Sequence, residues 1–161
     1  MVYCHQKRKN GGISMNILML LKPKSEVAYL LDTWTVRQGL EKMRAHGYAA
    51  IPVLTKDGTY VGCVSEGDFL WHLVDRSGEI DSIRKCENYR IRDLIRPERN
   101  PAVTIDVEME TVLERSMHQN FIPVTDDRGS FIGIVTRQDI IRRFCGNERK
   151  PNAAVSRVYP S

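Results

Sequence analysis

An internal repeat constrains the fold of this chain more than any other feature. The segment Ile51-Pro52-Val53 recurs as Ile122-Pro123-Val124, a shift of 71 positions. The same shift pairs further glycine, apolar, hydroxyl and acidic residues: Gly58 with Gly129, Val61 with Ile132, Gly62 with Gly133, Val64 with Val135, Ser65 with Thr136, Asp68 with Asp139, and Val36 with Val107. One spacing that holds across so many residue types indicates a tandem duplication of a single structural unit.

Each copy follows the order helix, strand, strand, helix. Apolar residues at helical spacing predict the first helix of each copy, which in the first copy ends at Gly47. The residues of these two apolar stripes are Val36, Leu40 and Met43, and then Met109, Val112, Leu113 and Met117. Two short apolar runs joined by a glycine-containing turn predict a β-hairpin in each copy. The hairpin strands are residues 50–54 with 60–64 and residues 121–125 with 131–135, and they lead into helices at 66–74 and 137–144.

These elements predict an α/β (α+β) fold in which each repeat forms a small β-sheet packed by helices. Neither repeat is long enough to bury a core comfortably alone, so we expect the two to pack together. The helix at 66–74 is apolar nearly all round, since it contains Phe69, Leu70, Trp71, Leu73 and Val74. A single sheet cannot cover such a helix, which favours a homodimer; the alternative is complete burial within one chain.

The expected domain organisation follows from the repeat. We expect residues 15–78 to form the first repeat and residues 79–146 to form the linker and the second repeat. Residues 1–14 and 147–161 are polar and contain Gly or Pro, so we expect a disordered leader and a disordered tail. Met15 opens the ordered region and is a candidate for the natural start.

Composition and charge argue against several classes of protein. The net charge of +4 arises in the two ends, and residues 15–145 carry a net charge of −1, so nucleic-acid binding is not favoured. The longest purely apolar run, Ile17 to Leu21, is far too short to span a bilayer, and no secretory signal is evident. The four cysteines are scattered without a CxxC pair, which is typical of reduced thiols in a cytoplasmic protein.

The junction between the second strand and the last helix carries the chemistry of each repeat. It reads Gly62-Cys63-Val64-Ser65-Glu66-Gly67-Asp68 in the first copy and Gly133-Ile134-Val135-Thr136-Arg137-Gln138-Asp139 in the second. The plain interpretation is a helix cap by Ser or Thr with the acid three residues later. The same geometry can also place a hydroxyl near a phosphate at the helix N-terminus, and a carboxylate near the two hydroxyls of a sugar. We expect the glycines to let a ligand approach the strand. The pattern therefore suggests a ribonucleotide.

The duplicated Gly-h-h-Ser/Thr-x-x-Asp junctions, the Ile-Pro-Val strands and the preceding helices resemble the CBS domain, and the two copies resemble a CBS pair (Bateman module). This resemblance covers roughly residues 15–145. It implies two repeats related by a pseudo-two-fold axis, two clefts between them, and a non-catalytic regulatory or signalling module that binds AMP, ADP or ATP in those clefts. It also implies a homodimer and a regulated protein partner, whose identity the sequence does not give.

The resemblance also implies roles for particular residues. Asp68 and Asp139 would hold ribose hydroxyls, and Ser65 and Thr136 would contact phosphate. The adenine slot would be lined by the residues before and at the strand prolines and by the segments ahead of each first helix: Tyr48, Ala49, Ala50, Ile51, Pro52, Asn120, Phe121, Ile122, Pro123, Val27, Ala28, Tyr29, Ala102 and Val103. Glu66 disfavours phosphate beside Ser65, whereas Arg137 favours it beside Thr136. The Thr136–Asp139 site, with Gly133 behind it, is therefore the first candidate.

Other functions remain open at this point. Cyclic di-AMP is an alternative ligand, and a ligand-free protein-interaction scaffold is an alternative role. The six arginine and lysine residues between 84 and 99 favour a solvated basic face, although they could bind a polyphosphate. His5, His46, His72 and His118 have no partners at metal-ligand spacing, so we expect neither a metal nor a cofactor. No nucleophile with a base, paired carboxylates or metal is recognisable, and we expect no enzymatic activity.

Overall fold

The structure, a computed structural model, describes residues 16–75 and 87–145. The expected disordered leader and tail, and Met15, lie outside these residues. Among the described residues, no helix is both long and apolar enough to cross a membrane.

The first repeat forms a three-stranded sheet in the order β2 (Leu30–Leu31), β3 (Ala50–Leu54) and β4 (Tyr60–Ser65). Strand β2 is parallel to β3, which forms an antiparallel hairpin with β4. Helix α1 (Val36–His46) precedes the hairpin and α2 (Glu66–Asp75) follows it. The order predicted from the sequence is therefore confirmed, and β2 is an additional strand.

The second repeat forms a four-stranded sheet in the order β1 (Lys22–Pro23), β7 (Phe131–Thr136), β6 (Phe121–Thr125) and β5 (Val103–Thr104). Strands β6 and β7 form the antiparallel hairpin, and β5 is parallel to β6. Helices α3 (Met109–His118) and α4 (Arg137–Phe144) flank the hairpin. The fourth strand, β1, comes from the start of the described chain and pairs antiparallel with β7. It therefore joins the sheet of the other repeat.

The segment ahead of each repeat packs into the core of the other half of the molecule. Ile17 and Leu20, which precede β1, are buried with Val112, Val124 and Val135 of the second repeat, among others. Conversely, Ile91 and Leu94 of the linker are buried in the core of the first repeat. The two segments are equivalent parts of the repeat, because Ile17 to Pro23 matches Ile91 to Pro97 at a second spacing of 74. The two repeats thus exchange their leading segments, and this exchange joins them into one unit.

The two hairpin turns also bond to each other across the pseudo-two-fold axis. The Tyr60 amide donates to the Gly129 carbonyl at 3.1 Å, and the Phe131 amide donates to the Gly58 carbonyl at 2.9 Å. These residues are equivalent in the repeat, so the two hydrogen bonds are symmetry mates. The rings of Tyr60 and Phe131 stack with centroids 6.1 Å apart.

The helix caps follow the local sequence. Thr35 and Gln38 form a capping box at the start of α1, and Gly47 ends that helix in the left-handed region with φ of 64°. One predicted stripe was wrong in detail: Met117 is 67% exposed, and the inward position on α3 is taken by Ser116. Ser116 lies seven residues after Met109, close to two helical turns, whereas Met117 lies eight residues away and points outward.

Candidate functional site

A cleft of about 310 Å³ lies between the two repeats. We call it cleft 1. One wall comes from the first repeat, with Val27 and Ala28 ahead of β2 and the residues that lead into and begin β3; the other comes from the second repeat. Its lining residues are Lys22, Glu26, Val27, Ala28, Gly47, Tyr48, Ala49, Ala50, Pro52, Asn120, Phe121, Ile134 and Thr136. The volume lies at the lower end of the range of small-molecule sites.

The alternation of side chains along the strands explains which residues face cleft 1. Ala50 and Pro52 on β3 line the cleft, whereas Ile51 between them is 1% exposed and belongs to the core. On β6, Phe121 lines the cleft and Ile122 is fully buried in the second core. Period-two alternation thus gives this part of the cleft an apolar slot built from small side chains and one aromatic ring.

The polar end of cleft 1 lies at the N-terminus of α4. The Thr136 hydroxyl accepts a hydrogen bond from the Asp139 amide at 3.1 Å and donates to the Asp139 carboxylate. Lys22 places its ammonium nitrogen 3.2 Å from Asp139 Oδ2, with the Lys22 side chain 42% and the Asp139 side chain 19% exposed. A hydroxyl and a cation therefore line one end of an apolar slot, and the partly accessible Asp139 carboxylate contacts both from a neighbouring surface pocket that shares Lys22.

The structure combines the predicted groups across the repeats. Thr136 belongs to the second repeat, yet it shares cleft 1 with Val27, Ala28, Tyr48, Ala49 and Ala50 of the first repeat. Arg137 is not part of this cleft, because its Nε donates to the carbonyl oxygens of Ser116 and Gln119 at 2.7 and 3.2 Å. The ring of Tyr29 instead contacts the ammonium groups of Lys24 and Lys42, which lie 5.6 and 5.3 Å from its centroid.

At Gly133, where we expected the missing side chain to make room for a ligand, the space is taken by the chain itself. A Cβ atom at this position would overlap the carbonyl oxygen of Lys22, which lies beside β7 as part of the paired strand β1. At Gly62 the equivalent space is filled by the side chain of Ile95. The close approach that we expected from a ligand is therefore made by the chain itself, through the exchanged segments.

The equivalent polar end in the first repeat, Ser65 with Asp68, is covered by the linker. Asp68 Oδ1 accepts from Arg99 Nη1 at 2.6 Å, and Arg96 Nε lies 3.7 Å away. Ala102 and Val103 were predicted to line a cleft and follow this linker segment, and Val103 is buried in the second core. Pro123, also predicted to line the adenine slot, lies within the buried run of β6.

Asp68 is held in its charged form by its neighbours. Burial disfavours the carboxylate, but hydrogen bonds from Ser65 and the charge of Arg99 outweigh that penalty and lower the pKa of Asp68. The Ser65 amide and hydroxyl donate to Asp68 Oδ2 at 2.9 and 2.6 Å. Both oxygens of this carboxylate therefore already have donors.

Analysis of the sequence at one repeat spacing missed four residues of cleft 1: Lys22, Glu26, Gly47 and Ile134. Gly47 was recognised only as a helix stop. The signal for Lys22 was present in the sequence, because Leu21-Lys22-Pro23 matches Ile95-Arg96-Pro97 at the second spacing of 74. That match marks the segment as part of the repeat and not as an unrelated leader.

Comparison with known proteins identifies sequence relatives. An uncharacterized protein of Methanopyrus kandleri is 26% identical in a match that covers 63% of this chain and 49% of that protein. An uncharacterized protein of Methanocaldococcus jannaschii is 27% identical, with 61% and 74% covered. The chain thus spans about half the length of the first relative and about three quarters of the second.

Solved structures share the fold. CbpB in complex with cyclic di-AMP superposes with a TM-score of 0.74 at 21% identity, covering 82% of this chain and 85% of that chain. A CBS domain protein from Streptococcus pneumoniae gives 0.73 at 22% identity, with 80% and 86% covered. CBSX2 in complex with AMP gives 0.67 at 24% identity, with 83% and 98% covered. The profile of the CBS domain matches residues 20–75 and 91–146, one match in each repeat. Since these matches span more than half of the sequence, the chain belongs to the CBS domain family and is a tandem pair of CBS domains.

Proposed function

We propose that this protein is a non-catalytic regulatory module that binds an adenosine-containing nucleotide, AMP, ADP or ATP, in cleft 1. The observation that carries the proposal is the composition of that one cleft. Ala28, Ala50 and Phe121 offer an apolar slot of the kind that accepts a base, and Lys22 and Thr136 lie at its polar end. An apolar slot that ends in a cation and a hydroxyl matches the two halves of a nucleotide.

Charge and hydrogen bonding suggest a role for each group at the polar end. Lys22 can donate to a phosphate as a mobile point charge, because its side chain is long and 42% exposed. Asp139 can accept from ribose hydroxyls once Lys22 turns toward phosphate. The preference for adenine is supported by the family resemblance and by the ligands of two structural neighbours, cyclic di-AMP and AMP.

The test is calorimetric titration of the purified protein with AMP, ADP, ATP, cyclic di-AMP and GMP. We expect adenosine nucleotides to bind and GMP to bind at least tenfold more weakly. A ligand present at about one hundred times its Kd should also stabilise the fold by about 2.7 kcal/mol, visible as a higher Tm. A preference for cyclic di-AMP over the mononucleotides would assign the alternative ligand, and no binding by any of the five would leave the interaction scaffold.

Two variants and a control connect binding to cleft 1. Ala50→Leu fills the apolar slot and should weaken binding at least tenfold. Lys22→Ala should weaken ADP and ATP more than adenosine, because it removes only the contact with phosphate. Lys56→Ala, in the exposed turn of the first hairpin, is the matched loss of a lysine away from the cleft. Unchanged affinity in both cleft variants would refute the assignment of the site.

We also propose that the partner covering α2 and α4 is a second copy of this chain. Leu70, Trp71 and Val74 on α2, and Ile141 and Phe144 on α4, are each about half exposed. The two helices are equivalent in the repeat, so their apolar faces suit an isologous two-fold interface. Light scattering should give the mass of a dimer for the native chain and of a monomer for Trp71→Glu; a native monomer at micromolar concentration would contradict this.

A further inference from the structure

The Ser65–Asp68 junction, where the family pattern implies a second cleft, differs from the Thr136–Asp139 junction in what already contacts it. Arg99 Nη1 lies 2.6 Å from Asp68 Oδ1 and 3.2 Å from Ser65 Oγ. The guanidinium therefore contacts the two groups that the family pattern assigns to ribose and phosphate. We call this contact between Arg99 and the Ser65–Asp68 pair the Arg99 latch.

With the latch in place, both carboxylate oxygens of Asp68 already accept hydrogen bonds. One carboxylate oxygen accepts from the Ser65 amide and hydroxyl, and the other accepts from Arg99. The Asp68 side chain is only 3% exposed, whereas that of Asp139 in the other repeat is 19% exposed. A sugar could reach Asp68 only if Arg99 moved away.

Exchange of Arg99 for a sugar is unfavourable on chemical grounds. The Arg99 guanidinium brings a full positive charge to the carboxylate, whereas ribose hydroxyls are neutral and cannot replace that Coulombic attraction. Withdrawal of Arg99 would also leave a buried carboxylate without its closest cation, which is costly. A nucleotide would therefore have to compete with a stronger, permanently attached occupant.

The second repeat spacing shows why cleft 1 is not closed in the same way. At the shift of 74, Arg96 corresponds to Lys22 and Arg99 corresponds to Ser25. Ser25 is exposed, and its short side chain carries no charge, so the cations near Asp139 are the Lys22 ammonium at 3.2 Å and the Arg142 guanidinium at 3.6 Å. Among the differences between these equivalent segments, the replacement of serine by arginine at this position is the one that brings a guanidinium within hydrogen-bonding distance of the carboxylate.

We propose that Arg99 is an internal occupant of the second cleft, so that each chain binds one nucleotide, in cleft 1, and not two. This inference rests on the proposed function for the ligand, but the latch itself is independent of it. The substitution Arg99→Ser copies Ser25 into the linker and opens the second cleft. The substitution Ser25→Arg copies the latch to the polar end of cleft 1, where Asp139 can pair with the new guanidinium.

The binding experiment is calorimetric titration with AMP, ADP and ATP, read as the number of sites per chain. We expect one site in the native protein, two sites in Arg99→Ser, and at least tenfold weaker binding in Ser25→Arg. Arg92→Ser is the matched control, since Arg92 lies on the same linker with an exposed side chain, and it should keep one site. Two sites in the native protein would overturn the inference and leave the proposed function intact.

A second measurement tests the latch without any ligand. Urea unfolding is compared among the native protein, Asp68→Asn, Arg99→Ser and the double variant. If the latch exists, each single variant lowers the urea midpoint and the double variant lowers it no further than the worse single one, because the shared contact is lost only once. Additive losses would refute the latch even if no nucleotide bound, whereas failure of all nucleotides with a coupled cycle would refute only the proposed function.

Discussion

Truncation of Ile17 tests the exchange of leading segments, because this residue stabilises the repeat that lies farther along the chain. Ile17 is 1% exposed and packs in the core of the second repeat, with Val112, Val124 and Val135 among its neighbours. Ile17→Ala removes three buried carbon atoms, worth about 2.4 kcal/mol at roughly 0.8 kcal/mol each. The cavity that remains adds to this cost, so we expect a loss of about 3–4 kcal/mol.

The neighbouring Leu18 provides the matched control. Its side chain is 47% exposed, so Leu18→Ala should cost well under about 1 kcal/mol in the same urea titration. The location of the effect is measured by native-state hydrogen exchange, which reports local opening. We expect faster exchange in β6, β7 and α3, and little change in α1 and β3.

The mirror variant makes the test sharper. Ile91 is fully buried in the first core, so Ile91→Ala should increase exchange in α1, β3 and β4 and leave the second repeat less affected. The swapped packing of the two leading segments would be refuted if Ile17→Ala increased hydrogen exchange mainly in the first repeat. It would also be refuted if Ile17→Ala lowered the free energy of unfolding no more than Leu18→Ala does. Either result would mean that each leading segment packs on the repeat that follows it.

Three further predictions follow from contacts at the two strand–helix junctions. Gly133→Ala should push the Lys22 carbonyl away from β7 and lower the free energy of unfolding in urea by about 1–3 kcal/mol, as overpacking of a filled site does. An unchanged free energy of unfolding would mean that β1 does not pair closely with β7 at this position. Because the pKa of Asp68 in the folded protein lies below its ordinary 3.8, its charge contributes stability that is present above that value and lost as the pH falls through the lowered one. We therefore compare the Tm at pH 7 with the Tm at pH 3, which is roughly one unit below the ordinary pKa of aspartate. The Tm of the native chain should fall further over this interval than the Tm of Asp68→Asn, and equal falls would contradict the prediction. Thr136→Val removes the cap of α4 and should cost about 1 kcal/mol, whereas Thr136→Ser should cost far less; equal losses by thermal unfolding would show that the hydroxyl does not cap the helix.

The local elements of this protein could be predicted from its sequence because each depends on neighbouring residues. The strands Ala50–Leu54 and Phe121–Thr125 and the helix Arg137–Phe144 were predicted with the bounds that the structure has. Turn glycines, caps and short apolar runs act over a few residues, so a linear pattern contains the information. The internal duplication indicated the family as well, and the family in turn implied the fold of two packed repeats.

The tertiary structure decided which segments meet. Residues that share cleft 1, such as Lys22 and Thr136, are more than one hundred positions apart, and they meet because β1 pairs with β7 across the repeats. The same packing places Ile95 over Gly62 and brings Arg99 to Asp68. The sequence by itself determined two equivalent sets of a hydroxyl and a carboxylate, Ser65 with Asp68 and Thr136 with Asp139. Only the exchange of segments, driven by burial of Ile17, Leu20, Ile91 and Leu94 in the opposite cores, decided that one set lies in an open cleft and the other is covered by an arginine.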